Sequence, residues 1–153
     1  DIRISCCENT HYRPEDQFGK QGPISLSYRF DAPDRSMVFT GDTGPCLALE
    51  EFAKNADLLV GELFDTELVI NRLRATNPDM SDHALLQMRQ HFDEHHLTPE
   101  DLGQLASRAG VKKVVAVHIP FITKSAEEDA KYVSRILAKF SGSVTISEDL
   151  AAY

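Results

Sequence analysis

Three residues that can bind a metal ion follow or end predicted strands, although they lie far apart in the chain. His11 follows the segment ISCCENT, Asp42 lies in the turn after MVFTG, and His118 ends the run VVAVH. In open α/β sheets, ligands bind outside the carboxyl ends of the strands, so these side chains could converge. Imidazole nitrogen and carboxylate oxygen together suit Zn²⁺. The pattern therefore predicts a candidate metal site.

Each of the three residues also has a structural explanation. Aspartate is favoured in turns because its side chain hydrogen-bonds to nearby backbone, so Asp42 could simply build the Gly-Asp-Thr-Gly-Pro turn. His11 could be an ordinary surface residue of a loop. His118, at the end of an apolar strand, could be a core histidine with a buried polar partner.

Two further polar residues are expected near the same edge. Glu62 ends the apolar run DLLVGE, and His96 directly precedes the helix signature LTPEDLGQLASRAG. Glu62 could instead be an exposed strand end, and His96 a polar loop residue. A proton-transfer role and a merely structural role are both open for this pair.

The elements that must position these side chains follow from hydrophobic spacing and capping signals. Strands are predicted at 2–8, 24–30, 36–40, 57–63, 112–118 and 143–149, and helices at 45–56, 65–75, 81–95, 98–110 and 125–142. The second and third strands should form a hairpin, and Pro45 should lie in the first helical turn. Val- and Leu-rich strands that alternate with helices predict a single α/β domain over residues 1–153.

Composition excludes several classes of protein. The 153 residues are 42% hydrophobic and carry a formal net charge of −8, so one globular domain is expected and a nucleic-acid partner is disfavoured. The three cysteines form no Cys-x-x-Cys pair and no disulfide framework. Every apolar run is shorter than the roughly 18 residues that span a bilayer, so no membrane partner is expected.

Five segments occur in an order that resembles a known family. They are ENTHY, VFTGDTGP, ADLLVGEL, HHLTPEDLGQLA and VKKVVAVH, and together they resemble the carboxyl-terminal half of a metallo-β-lactamase-fold hydrolase, in the branch of ribonuclease Z and its arylsulfatase-like relatives. The resemblance implies half of an αββα sandwich, a mixed sheet with helices packed on its outer face. The family's His-x-His-x-Asp-His motif does not occur in this chain, so residues 1–153 are expected to be the second half of a longer domain.

The resemblance also implies roles for individual residues. His11 matches the histidine that completes the first metal's ligands, Asp42 the carboxylate that bridges two metals, and His118 the histidine of the second metal. Glu62 and His96 match the pair that delivers a proton to the leaving group. Between the adjacent histidines at 95 and 96, only the resemblance selects the second.

The resemblance implies that the protein hydrolyses an ester bond. Two divalent metal ions, expected to be zinc, would activate the attacking hydroxide. A small-molecule sulfate or phosphate ester, or a lactone, is the expected substrate, because the chain is acidic and His118 is followed by IPFITKS instead of a short Ser/Arg-containing element. The alternatives are a tRNA 3′-processing endonuclease of the ribonuclease Z type and a metal-free binding or dimerisation module.

Two apolar groups have open interpretations. Tyr12, Phe18 and Tyr28 could line an apolar substrate pocket or pack ordinarily. The helix at 81–96 carries Leu85, Met88 and Phe92 at three- to four-residue steps, which could form the interface of a homodimer or pack into the core.

Overall fold

The computed structural model describes residues 1–12, 23–120 and 125–153, and Phe18 lies outside these residues. Within the described residues, six strands form one sheet in the order of the sequence. The strands are β1 (Arg3–Glu8), β2 (Leu26–Asp31), β3 (Ser36–Phe39), β4 (Leu58–Glu62), β5 (Lys113–Val117) and β6 (Ser143–Ile146). The prediction of an α/β domain with a mixed sheet is confirmed.

The sheet changes from antiparallel to parallel pairing at β3. β1, β2 and β3 pair antiparallel, as the predicted hairpin requires, whereas β3 to β6 pair in parallel. Parallel strands need crossover connections, and helices supply them here. Because β3, β4 and β5 run in the same direction, their carboxyl ends meet at one edge of the sheet.

The helices begin close to the predicted positions, but the first and the last end before the predicted residues 56 and 142. They are α1 (Leu47–Phe52), α2 (Thr66–Thr76), α3 (Asp82–His95), α4 (Pro99–Ala109) and α5 (Ala126–Leu137). A capping box between Thr98 and Asp101 starts α4, and Gly110, with a φ of 66°, ends it in the left-handed region that glycine favours.

The prediction that Pro45 lies in the first turn of α1 is wrong. The N-cap is Cys46, whose backbone is still extended, with φ −142° and ψ 113°. Pro45 therefore belongs to the turn that follows Asp42, and the helix starts one residue after the cap.

The main core lies between one face of the sheet and the helices. Val38, Leu59 and Val114 are neighbours across β3, β4 and β5, and each is fully buried or nearly so in a cluster with Leu102 and Ile136. Their burial against α4 and α5 supplies much of the driving force for folding, since each fully buried side chain of this size contributes about 1.5–3 kcal/mol.

The opposite face of the sheet is apolar and partly exposed. Side chains alternate between faces along a strand, and the register places Tyr28, Phe39 and Val60 in one row across β2, β3 and β4. Tyr28 is 43% exposed and Phe39 40%, and Ile4 on β1 is 61% exposed.

The apolar stripe of α3 packs within the chain. Leu85 is buried, α3 packs against α2, and the Phe92 ring centroid lies 4.9 Å from that of Phe64. The predicted homodimer stays a prediction. No helix in the described part of the chain has the length and apolar character that a membrane span requires.

Candidate metal centre

The turn after β3 brings Asp42 to the edge where the parallel strands end. Gly41 has a φ of 61°, a left-handed conformation that suits glycine, and it turns the chain directly before Asp42. The turn is fixed against β4 by two bonds, because the Thr40 N–H donates to the Val60 carbonyl and the Glu62 N–H donates to Thr40 Oγ1. Turn chemistry and the delivery of a carboxylate to this edge therefore occur together.

The Gly-Asp-Thr-Gly turn also packs tightly against the end of α3. A Cβ atom on Gly44 would lie 1.9 Å from the Glu94 carbonyl oxygen, so only glycine fits there without a backbone shift. This close approach places the last residues of α3 beside Asp42. It explains why His95 and His96 reach the same edge as the strand ends.

His118 meets Asp42 from the end of β5. The strand ends at Val117, and His118 is the first residue beyond it, with a φ of 53°. Residues other than glycine seldom adopt this left-handed backbone conformation. His118 Nδ1 lies 2.7 Å from Asp42 Oδ1, and the His118 side chain is 60% exposed. The interpretation as a buried core histidine is therefore wrong.

Glu62 is buried and pairs with the partly buried His96. Glu62 is only 1% exposed, and its Oε2 lies 2.8 Å from His96 Nδ1, while its Oε1 accepts a hydrogen bond from the Thr43 N–H. The His96 ring stacks on Phe64, with centroids 4.5 Å apart. The interpretation of Glu62 as an exposed strand end is wrong, because its carboxylate is enclosed and both oxygens have partners.

His11 follows β1 in a loop and is anchored on two sides. Its N–H donates to Asn9 Oδ1 at 3.2 Å, and its ring and carbonyl both bond to His95. The His11 and His96 ring centroids are 5.0 Å apart. His11 therefore lies beside the Glu62–His96 pair, on the side of the site formed by the hairpin.

Two groups of side chains at this edge could each hold a metal ion. His11, Asp42 and His96 form one group, and Asp42, Glu62 and His118 form the other; within each group the ligand atoms lie within 4.8 Å of one another. Asp42 belongs to both groups. Imidazole nitrogens and carboxylate oxygens are a donor set that suits zinc, so the residues present fit such an ion.

The residues that support this cluster were not predicted from the sequence. Asn9 is buried and donates from Nδ2 to Ser27 Oγ and to the Thr40 carbonyl, which ties the His11 loop to β2 and β3. His95 is also buried. The asparagine two residues before His11 was a usable signal, since Asn side chains bond to backbone two residues ahead.

Cys7, which packs against the hydrophobic core, carries a thiol that is hard to ionise. Burial is the main cause that raises the pKa of the Cys7 thiol to about 11, with smaller contributions from Cys46 and Cys6. Cys7 is therefore protonated at neutral pH, and metal ligation requires the deprotonated form. The chemistry of this edge rests on imidazoles and carboxylates.

An open pocket adjoins the cluster on the hairpin side. The described residues that line it include Tyr12, Leu26 and Tyr28, together with His11 and Asp42. An apolar wall beside potential metal ligands is the arrangement that small-molecule sites commonly use.

Comparison with known proteins gives one family. A family model for the beta-lactamase superfamily domain matches residues 1–119. Over 127 residues the chain is 30% identical to a ribonuclease Z of Mycobacterium avium (strain 104), and this alignment covers 82% of the chain and 40% of that relative. The chain thus spans less than half the length of a relative that it matches.

Solved structures show the same fold. The metallo-β-lactamase fold protein YhfI from Bacillus subtilis superposes with a TM-score of 0.65 at 17% identity, covering 96% of this chain and 46% of YhfI. The short form of human tRNase Z superposes with a TM-score of 0.55 at 14% identity, covering 98% of this chain and 42% of that enzyme. The mixed sheet with its helices therefore matches part of a metallo-β-lactamase fold.

Proposed function

We propose that this chain, which belongs to the β-lactamase superfamily, carries part of the active site of a metal-dependent hydrolase that cleaves ester bonds. The observation that carries the proposal is the convergence of His11, Asp42, Glu62, His96 and His118 at one edge of the sheet. These residues come from five separate segments of the chain. A purely structural role for each would not require them to meet.

In this proposal, His11, Asp42 and His118 hold two divalent ions, with zinc the expected metal. Asp42 would serve both ions, because its carboxylate belongs to both groups of potential ligands. When bound, the two ions supply a nucleophilic water at neutral pH and offset negative charge that develops during the reaction. Glu62 is the least suited to bind metal, since His96 and Thr43 already occupy its two oxygens.

Glu62 and His96 deliver the proton to the leaving group. A carboxylate only accepts hydrogen bonds, so His96 Nδ1 carries a proton toward Glu62, and Nε2 is the nitrogen that gives up its proton to the departing oxygen. The His96 ring then remains neutral with its Nδ1 proton in place. Glu62 stabilises the charged ring before transfer, and stacking on Phe64 fixes the ring plane.

We further propose that residues 1–153 supply one half of the complete domain and that another segment, with the His-x-His-x-Asp-His motif, supplies the other metal ligands. Two observations support this. The alignment covers only 40% of the ribonuclease Z of M. avium, and one face of the sheet has exposed apolar side chains such as Ile4, Tyr28 and Phe39. A second sheet would bury that face.

The charge around the site favours a small ester over a polyanion. A cavity beside His118 is lined by Asp129, Glu148 and Asp149, among others, and the whole chain has a formal charge of −8. Binding of a nucleic-acid backbone draws mainly on Lys and Arg contacts to phosphates. A sulfate or phosphate monoester, or a lactone, brings far less negative charge to this acidic site than a nucleic-acid backbone does.

A second candidate function is tRNA 3′ processing. It is favoured by the relative named ribonuclease Z at 30% identity. In that case the basic contacts to RNA would come from other parts of the protein, because the described part of this chain presents an acidic surface beside His118.

Metal analysis and a substrate panel on the intact protein test the proposal. We expect about two zinc ions per chain, as a two-metal site requires, and hydrolysis of an aryl phosphate, aryl sulfate or lactone that stops when a chelator removes the metal. Faster cleavage of a precursor tRNA than of every small ester would favour the second candidate. A protein without metal, even after reconstitution with zinc, would instead be a binding or dimerisation module.

A further inference from the structure

We propose that His95 is a positioning residue that holds His11 in the orientation and tautomer needed to bind metal. The proposal rests on the metal site proposed above. His95 is the last residue of α3 and is 3% exposed, so its ring does not face solvent. It acts through His11 and does not itself touch a substrate.

The two histidines are joined by a reciprocal pair of hydrogen bonds. His11 Nδ1 lies 3.0 Å from the His95 carbonyl oxygen, and His95 Nδ1 lies 2.6 Å from the His11 carbonyl oxygen. Each ring therefore bonds to the backbone of the other residue. The pair connects the loop after β1 to the end of α3 across 84 positions of sequence.

The partners of these bonds determine which ring nitrogens carry protons. A carbonyl oxygen only accepts, so Nδ1 is the donor in both rings. A neutral imidazole has one ring proton, and with that proton on Nδ1 the lone pair of His11 resides on Nε2. Nε2 is thus the nitrogen of His11 available to a metal ion. Metal-binding histidines commonly donate their other N–H to a carbonyl or carboxylate in this way.

The two bonds have different dependence on the side chain at position 95. The acceptor for the His11 ring is backbone and exists with any residue at 95. The donor to the His11 carbonyl is the His95 ring, so a substitution releases the loop that carries His11. His11 then keeps only its N–H bond to Asn9 Oδ1 and its ring bond to the backbone carbonyl at position 95. We therefore expect loss of order at His11, with the fold of α3 retained.

Four variants separate positioning from simple packing. His95→Ala removes the donor, and His95→Leu removes it while keeping most of the volume, so that a folding defect caused by a cavity can be recognised. His95→Asn keeps an N–H donor near the place of Nδ1. His83→Ala, at an exposed site in the first turn of the same helix, is the matched control.

Two measurements on the intact protein are needed. The first is the tautomer of His11 in metal-free protein, from long-range ¹H–¹⁵N correlation spectra. The second is the dissociation constant for Zn²⁺ alone, from competition with a chelator. We expect one Nδ1-protonated tautomer in the wild type and in His83→Ala, and a mixture of tautomers in His95→Ala and His95→Leu. Loss of such a supporting partner typically weakens metal binding about 10–100-fold, and His95→Asn should restore most of this.

Two results would overturn the proposal. One is an unchanged His11 tautomer and unchanged zinc affinity in both His95→Ala and His95→Leu. The other is a His95→Asn variant as impaired as His95→Leu, because the ring would then matter for its shape and not for its donor. If the wild type binds no zinc, the proposed function fails, yet the tautomer of His11 still decides whether His95 positions it.

Discussion

Asp42 and His118 are joined by a hydrogen bond of 2.7 Å between Oδ1 and Nδ1, although 76 positions separate them in the sequence. His118 reaches Asp42 because its backbone leaves β5 in the left-handed region, with a φ of 53°. A residue with a Cβ atom is strained there, and strain of this kind concentrates at functional sites. The contact is thus maintained at a cost in stability.

This strain leads to a prediction for two substitutions at one position. His118→Gly and His118→Ala both remove the imidazole, but only glycine adopts a positive φ without strain. We expect His118→Gly to be more stable than His118→Ala by about 1 kcal/mol, from the roughly 1–2 kcal/mol that the left-handed conformation costs an ordinary residue. Urea unfolding of the metal-free intact protein measures the difference.

The informative result is which of these two variants is the more stable. Inside an ordinary strand, glycine is less stable than alanine by roughly 0.5–1 kcal/mol, so a less stable His118→Gly would mean that the left-handed conformation is absent in solution. Both variants should bind less zinc than the wild type, because both lack the imidazole.

Asp42→Ala should remove metal binding and leave the fold intact. Within the described residues, the Asp42 side chain bonds to His118 and makes no bond on which the sheet depends, whereas its carboxylate is shared by both groups of potential ligands. Loss of a residue that only supports a metal ligand weakens metal binding by up to about 100-fold. For Asp42→Ala we expect a larger fall in zinc affinity, loss of esterase activity and an unchanged far-UV circular dichroism spectrum.

Asp34→Ala is the matched control for this substitution. Asp34 is 72% exposed in its side chain and lies in the hairpin turn between β2 and β3. It should retain zinc and activity. Wild-type activity of Asp42→Ala toward an aryl phosphate would contradict the bridging role.

The Glu62–His96 pair should matter most when the leaving group is poor. His96→Ala removes the proton donor, and general acid catalysis typically contributes about 10²–10⁴-fold. We expect losses of that order with an alkyl ester and much smaller losses with nitrophenyl esters, whose leaving groups need no proton. Steady-state rates for a series of leaving groups give this dependence.

Glu62→Gln tests the same pair with little change in shape. The amide can still accept the bond from the Thr43 N–H, but it cannot stabilise a positively charged His96. The variant should show the same leaving-group dependence as His96→Ala, at a smaller amplitude. An equal loss with good and poor leaving groups in both variants would argue against proton delivery.

The parts of the fold that follow from local sequence were predictable. Hydrophobic spacing gave the strands and helices, and the Thr98 to Gly110 signature gave α4 almost to the residue. The start of α1 was misplaced, because a proline before a helix can occupy the first turn or the preceding loop. Local sequence does not distinguish these two positions.

The site was only partly predictable, since its contacts join distant segments. The resemblance selected His96 and left His95 aside, yet His95 bonds to His11 on both sides. The left-handed conformation of His118 has no signal in the sequence, because it depends on where Asp42 lies. Packing of Gly44 against Glu94 is likewise visible only in three dimensions.

Asp57 provides a test at the edge of the sheet opposite the metal cluster. Its carboxylate accepts bonds from the Ser36 N–H at 2.7 Å and from Lys112 Nζ at 2.6 Å, and so it ties the starts of β3 and β5 together. These bonds lower the pKa of Asp57 from an ordinary 3.8 to about 2. The bond from Lys112 has the largest effect, and the bonds from Ser36 follow.

The sign of the resulting pH dependence follows from that lowered pKa. A carboxyl group that is more acidic in the folded protein contributes stability above its unfolded pKa, and the contribution disappears as the pH falls through the folded value. The free energy of unfolding of wild type minus that of Asp57→Asn should therefore be largest above about pH 4 and shrink toward pH 2, given a folded pKa of about 2. Urea unfolding of the metal-free protein across this range measures it.

Salt and metal binding make this prediction specific. Lys112 is 74% exposed, so added salt should weaken its attraction to Asp57 and reduce the difference between wild type and Asp57→Asn at neutral pH. Zinc affinity should be the same in both proteins, because Asp57 lies where the parallel strands begin and the metal cluster lies where they end. A difference in stability that does not change between pH 5 and pH 2 would show that the carboxylate is not held by Lys112 and Ser36 in solution.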